Sequence, residues 1–195
     1  MRSEAPPLLP LFRSAAQARI LARIFLADPG HGQSLVELAQ AVGVPPGNVH
    51  REVERLEAAG LVRSQRVGRT RLVSPDTESP VHDELRGLIT KTLGPAAVLA
   101  RALADVPGIT AAAVFGSWAA RYSGEPGDAP ADVDLLVIGS PDTSAVYAAC
   151  RAAQDELARP VNATILSPDE WAKGGSGFIR TVAKGALVPV IGNVP

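Results

Sequence analysis

Four residues stand out for the chemistry that their types and spacing allow. Gly116 and Ser117 end a short apolar run, Ile109 to Phe115, and Asp132 and Asp134 bracket the first residue of another, Val133 to Ile138. Both runs read as strands. Side chains two apart on a strand share a face, so the spacing predicts Asp132 and Asp134 projecting together while Val133 turns into the core. Two carboxylates so placed repel each other unless a cation sits between them. Such oxygen donors suit Mg²⁺, which takes one or two protein carboxylates and fills its shell with water and substrate phosphates. Gly116 lets a backbone approach phosphate closely. Ser117 adds a hydroxyl at the start of a helix, where free N–H groups favour anions.

A Gly-Ser turn after one strand, facing an Asp-x-Asp on the next, resembles the signature of the DNA polymerase β nucleotidyltransferase superfamily, and most nearly its small bacterial members, the minimal nucleotidyltransferases. The resemblance implies that Gly116 and Ser117 hold a nucleoside triphosphate tail. It implies that Asp132 and Asp134 are the catalytic, metal-binding pair for Mg²⁺. Taken singly, each motif also reads as an ordinary turn or a surface Asp-x-Asp. Arg121 lies one helical turn past Ser117 and reads either as a phosphate contact or as a surface arginine. Active members usually carry a third carboxylate on the strand that follows, where it helps to deprotonate the attacking hydroxyl. Here that strand reads Val161-Asn162-Ala163-Thr164, which puts Asn162 in the position. An amide oxygen can coordinate a metal, but the group is neutral and cannot act as a base. Asp169 and Glu170 sit where a helix N-terminus is expected, a normal place for acids. Fourteen residues separate Ser117 from Asp132, more than is usual in minimal enzymes, with the excess in a Gly/Pro-rich insert, Gly124 to Pro130.

The chain of 195 residues, 46% of them hydrophobic, has room for one large or two small domains. No apolar run approaches the ~20 residues of a membrane helix. The Met1-Arg2-Ser3-Glu4 start leads into Pro6, Pro7 and Pro10 and does not read as a signal peptide. The single Cys150 cannot form an internal disulfide and reads as a small buried residue. These features predict a cytoplasmic protein with no membrane partner. The net charge of −1 hides an asymmetry: residues 1–75 carry ten arginines against six acids, and residues 76–195 carry nine bases against fourteen acids. Opposite electrostatics suggest different partners for the two parts, with nucleic acid for the basic one.

That basic part reads as three helices and a hairpin. Leu11 to Ala27 carries an apolar stripe (Ala16, Ile20, Leu21, Ile24) and stops at Asp28-Pro29-Gly30. Ser34 to Glu37 is a capping box opening a second helix that ends at Gly43. A third starts near Pro46, with Val49, Val53 and Leu56 inward and Gly60 at its end. Leu61 to Arg66, a turn at Val67-Gly68-Arg69, and Thr70 to Val73 make a short hairpin. This order is a winged helix-turn-helix, and Val44 to Val62 resembles the recognition helix of ArsR- and MarR-like repressors. The resemblance implies a third helix in the major groove of double-stranded DNA, offering Gly47, Asn48, His50 and Arg51. Arg63, Arg66, Arg69 and Arg71 on the hairpin, with no acid among them, suit the DNA backbone or minor groove. Glu52, Glu54 and Glu57 read as a solvated face. Winged helices also serve as protein–protein modules, and the acid-free hairpin favours DNA. No Cys/His set supports an ArsR-type metal sensor.

Ser74 to Pro80 is polar and Pro-bounded, a natural domain boundary. Two helices follow, Val81 to Leu93 and Ala96 to Ala104, which serve either as a dimerisation surface or as cover for a sheet. Beyond them, a helix from Ser144 to Leu157, a strand from Val161 to Leu166, a helix from Phe178 to Lys184 and an edge strand from Ala186 to Ile191, interrupted by Pro189, complete the chain. The fold expected is α+β in two domains: a winged helix-turn-helix over 1–75, a linker and helix pair over 76–106, and a mixed α/β nucleotidyltransferase-like fold over 107–195. Three functional readings follow. One is a transcriptional regulator that senses a nucleotide. Another is an active enzyme transferring a nucleoside monophosphate to a protein, RNA or small hydroxyl compound. The third is a non-catalytic, antitoxin-like partner of a toxin, since minimal nucleotidyltransferases often neighbour toxins. A homodimer is expected from the paired half-sites that winged-helix regulators bind.

Overall fold

The computed structural model describes residues 11–27, 32–125 and 130–194. The proline lead at Pro6, Pro7 and Pro10, the Asp28-Pro29-Gly30 stop and positions 126–129 of the insert lie outside the described residues. The chain forms two compact units, Met1–Gly94 and Pro95–Pro195.

In the first unit, α1 (Ala15–Phe25) starts at Ser14, whose hydroxyl accepts from the Gln17 N–H at 3.1 Å. A two-residue strand, β1 (Gln33–Ser34), leads into α2 (Leu35–Val42). The expected capping box is present: Ser34 Oγ accepts from Glu37 N–H, and the Glu37 carboxylate accepts from Ser34 N–H at 2.8 Å. The hydrogen bonds its carboxylate accepts from Ser34 hold the Glu37 pKa below the usual carboxylate range, the Ser34 backbone N–H being the larger cause and its hydroxyl the smaller. Gly43, at φ +70°, closes α2 in the left-handed region that glycine adopts without a Cβ penalty. The chain then turns through Pro45 into α3 (Pro46–Ala58). Strands β2 (Val62–Val67) and β3 (Thr70–Pro75) form the hairpin, and β3 also pairs with β1, giving the antiparallel order β1-β3-β2.

One core gathers Ile20, Leu21 and Ile24 of α1, Leu38 and Val42 of α2, Val49, Val53 and Leu56 of α3, and Val62 and Val73 of the hairpin. It also takes Ile89 and Leu93 from α4 (His82–Leu93). The sequence reading ended the first domain at residue 75 and set 76–106 apart as a linker and helix pair. In the structure α4 belongs to the first unit, because its apolar stripe completes that core. Of the Ser74–Pro80 stretch, Ser74 and Pro75 end β3 and the rest turns within the unit, tied back by Asp76 N–H donating to the Leu61 carbonyl at 3.1 Å. The two units meet in sequence at Gly94–Pro95 instead.

The second unit opens with α5 (Pro95–Leu103). Strand β4 (Ile109–Phe115) runs into α6 (Gly116–Tyr122), and β5 (Val133–Gly139) follows. Then come α7 (Thr143–Leu157), β6 (Val161–Leu166), α8 (Pro168–Lys173), α9 (Gly177–Lys184) and β7 (Val188–Ile191). The sheet order is β6-β5-β4-β7, with β5 and β6 parallel and the other pairs antiparallel. β7, carrying Pro189, lies at an edge, where a missing N–H costs no ladder bond. Leu136 and Ile138 of β5 pack with Trp171 of α8 and with Ile179 and Val182 of α9. Val133, Leu135 and Val137 alternate with them and are fully buried, and α5 and α7 pack against each other beside the sheet. The unit is a mixed α/β layer structure. Ser167 and Glu170 form a capping box at the start of α8, so the acids there serve the helix end.

Candidate nucleic-acid interface and carboxylate site

The first unit presents α3 and the hairpin as its charged surfaces. Val49, Val53 and Leu56 bury one face of α3, so Gly47, Asn48, His50 and Arg51 stand exposed on the other. Arg51 Nη2 donates to Asn48 Oδ1 at 2.6 Å, and His50 Nδ1 lies 3.4 Å from the Glu54 carboxylate. Among the described residues the side chains of Arg63, Arg66 and Arg69 make no hydrogen bond or ion pair, and all three residues are exposed. Three fixed positive charges on one ribbon with no local counter-ion are suited to a polyanion.

Arg71 is different. Its Nη2 donates to Glu57 Oε2 of α3, and its Nε donates to Ser64 Oγ at 2.9 Å. The structure thus separates Arg71 from the three unpaired hairpin arginines. The glutamates of α3 also depart from the solvated face expected of them. Glu57 is half-buried against Arg71, and Glu52 is only 6% exposed, within a cluster of donors. It accepts from Arg13, from Gln17 Nε2 at 2.8 Å and from Arg55 at 3.5 Å. A carboxylate buried this far survives only when paired and hydrogen-bonded. The sequence carried a signal for it, since Glu52 lies three residues after Val49 and four before Leu56, on the inward stripe.

In the second unit, the strand ends bring four sequence-marked residues together. Phe115 pairs with Asp134 across β4–β5, and Asp134 pairs with Asn162 across β5–β6. Asn162 Nδ2 donates to Asp132 Oδ2 at 2.8 Å. Gly116 follows Phe115 at φ +70°, and a Cβ built there would lie 2.7 Å from Asp134 Oδ2. Glycine is needed for the carboxylate to rest against this turn. Burial is the main cause that raises the Asp134 pKa above the usual range, and the Asp132 charge adds to it; the Asn162 amide opposes both. Val133 between them is fully buried, as the alternation predicts.

Ser117 is exposed on the first turn of α6, which has no side-chain cap. Arg121 Nη1 donates to the Glu125 carbonyl at 2.6 Å, and among the described residues its buried Nε has no hydrogen-bond partner. Arg121 is therefore turned to the far end of α6, away from the Gly116–Ser117 turn. Trp118, to which the sequence reading gave no role, is on the buried face of α6 with Arg159 5.3 Å over its ring. Among the described residues no group of three or more His, Cys, Asp or Glu comes together to hold a metal. Two carboxylates and an amide are what this site offers; as oxygen donors they fit a hard cation such as Mg²⁺ that keeps most of its water.

The fold and these surfaces place the first unit among winged helix-turn-helix DNA-binding domains. More particularly, residues 18–66, which run from α1 into β2, match the IclR helix-turn-helix domain. The ArsR- and MarR-like resemblance is met at the coarser level of the winged helix-turn-helix. No curated protein matches the chain. Among solved structures, it is similar to the transcriptional regulator BldR from Sulfolobus solfataricus, with 25% identity, 51% of this chain and 68% of that one covered, and a TM-score of 0.38. For M. tuberculosis Rv0081 the identity is 28%, the coverages 52% and 97%, and the TM-score 0.34. For Lactococcus lactis ZitR in complex with DNA they are 21%, 45% and 60%, and 0.31. These are likenesses of limited extent, and the assignment of the first unit rests on residues 18–66. No helix among the described residues is long and apolar enough to cross a membrane.

Proposed function

We propose that the chain is a transcriptional regulator that binds double-stranded DNA through α3 and the arginine hairpin. Its second unit, of nucleotidyltransferase type, binds a nucleoside triphosphate with Mg²⁺ and conveys that state to DNA affinity without turning the nucleotide over. The observation that carries the second half is Asn162. Its amide donates to Asp132 and stands in register with Asp134. A neutral donor there supplies no base, and loss of a positioned base costs about 10²–10⁴-fold in rate. Asp132 and Asp134 would hold the cation, which would neutralise phosphate charge; Gly116 and Ser117 would meet the phosphates. As two half-sites usually bind one dimer, the reading includes a homodimer on DNA.

The test measures duplex binding with and without each of ATP, GTP, CTP and UTP in Mg²⁺, beside an Asp132→Ala/Asp134→Ala variant. A nucleotide-dependent change in DNA affinity that the variant loses supports the reading. DNA affinity indifferent to all four nucleotides refutes the sensing role. An active transferase is the second reading, favoured by the burial and mutual repulsion that leave Asp134 in want of a cation. It requires label from an α-labelled nucleotide to reach a protein, RNA or small-molecule acceptor, a toxin partner among the proteins tried. Transfer that survives Asp134→Ala would rule this site out as its source.

A further inference from the structure

We propose that Arg71 is a positioning residue that fixes the wing on the recognition helix through Glu57, leaving contact with DNA to Arg63, Arg66 and Arg69. The inference rests on the DNA-binding reading above.

The hairpin is anchored in the core by Val62 and Val73, both buried. Beyond them it continues as a two-stranded ribbon, a form with little stability of its own. Residues alternate faces, so Ser64 and Arg66 on β2 share a face with Val62, and Arg71 on β3 shares one with Val73. Arg71 stands directly opposite Arg66. Two like charges in that relation destabilise the pair. Glu57, in the last turns of α3, offsets this by taking the Arg71 guanidinium, and Ser64 accepts from its Nε at 2.9 Å. One side chain therefore joins α3, β2 and β3 just where the ribbon leaves the core. Among the described residues it is the outermost hairpin position bonded to α3. Arg66, level with it on β2, and Arg69, further out in the turn, make no such bond. The angle between the two DNA-facing elements is set at Arg71.

The sign of one substitution separates positioning from simple charge. Glu57→Gln removes a negative charge from the DNA-binding unit, so electrostatics alone strengthens binding to DNA. Loss of the wing's tether weakens it. Glu54→Gln removes the same charge from the same helix at an exposed site whose partner is His50, and serves as the control. The probe is a duplex enriched from a random-sequence pool with the wild-type protein, read by fluorescence anisotropy across a salt series. Amide hydrogen exchange of the hairpin is measured on the DNA-free chain.

The expected result for Glu57→Gln is faster exchange at residues 66–71 and duplex binding weakened about two- to fivefold, the scale of a partly exposed ion pair. Glu54→Gln leaves exchange unchanged and does not weaken binding. Arg71→Ala weakens binding without lowering the salt slope, whereas Arg66→Ala lowers it by about 0.9, one phosphate contact. Unchanged hairpin exchange in Glu57→Gln overturns the proposal. So does binding that tightens as in Glu54→Gln, or a slope lost with Arg71. A wild-type protein that binds no duplex sinks the DNA reading and this inference with it; unchanged exchange with DNA binding intact sinks this inference alone.

Discussion

Gly116→Ala is the perturbation whose consequences the structure fixes most closely. A Cβ at this position would lie 2.7 Å from Asp134 Oδ2, where ordinary contact begins at 3.4 Å. The carboxylate must then swing by about 0.7 Å, the difference between those two distances. That oxygen ends a flexible side chain, so the swing itself costs little, on the order of 0.5–1.5 kcal/mol for a side chain pushed off its rotamer. The left-handed backbone of a non-glycine residue costs a further ~1–2 kcal/mol. The chemical effect is larger. Mg²⁺ demands near-ideal octahedral geometry at about 2.0–2.1 Å from each oxygen, and a ligand displaced by a third of that length no longer coordinates. Gly174→Ala is the matched control, since Gly174 has φ +57° and nothing within 4 Å of an added Cβ. Thermal unfolding and calorimetric titration with Mg²⁺-nucleotide read the two effects. Both variants lose about 1–2 kcal/mol from the backbone, and Gly116→Ala alone loses cation-dependent nucleotide binding. Equal nucleotide binding by Gly116→Ala and the wild type would refute the argument that this turn shapes the site.

Other expectations follow from the same geometry. Asp134→Asn removes a charge that burial and Asp132 disfavour. A folded-state pKa above the unfolded one stabilises the fold at low pH and loses that contribution as pH rises through it. The variant, lacking the loss, gains melting temperature over the wild type at pH 7 relative to pH 4, in metal-free buffer. Asn162→Asp puts a third carboxylate beside the two and breaks the amide bond to Asp132. It lowers metal-free stability and raises affinity for Mn²⁺, measured by thermal shift with and without the ion. Ser34→Ala opens the capping box of α2 and costs about 1 kcal/mol in denaturant unfolding. The Glu37 share of that box is present above the unfolded carboxylate pKa and lost as pH falls through the lowered folded value, so the cost of Ser34→Ala shrinks in acid.

Local signals in the sequence carried the elements, because they depend on neighbours a few residues apart. The Ser34–Glu37 box, Gly43 after α2 and the turn at Gly68 mark boundaries that the structure keeps within a residue or two. Strands β4 and β5 were legible as apolar runs ended by glycine or acid, and β6 as a short run between Pro160 and Ser167. What pairs at a distance was not. The stripe on α4 was visible as Leu85, Leu88, Ile89 and Leu93, yet nothing local says which core Ile89 and Leu93 fill. Pro80 therefore looked like a domain end. β1 has two residues and exists only through its pairing with Leu72 and Val73. At the surfaces, types and spacing marked Gly116, Asp132 and Asp134, and the family resemblance marked Asn162; β4, β5 and β6 bring the four together. They did not reveal that Arg71 and Glu57 find each other across fourteen residues, or that Arg121 turns to Glu125. Ion pairs between elements are set by the packed geometry, and a run of arginines looks alike whether its members are paired or free.

The salt dependence of duplex binding by the wild type and by Arg63→Ala/Arg66→Ala/Arg69→Ala tests the account most directly. Each phosphate neutralised contributes about 0.9 to the slope of log affinity against log salt. The account predicts salt-dependent binding by the wild type and a slope shallower by about 2.7 in the triple variant, for three contacts at that increment. A wild type without salt-dependent duplex binding, or a triple variant with an unchanged slope, would contradict it.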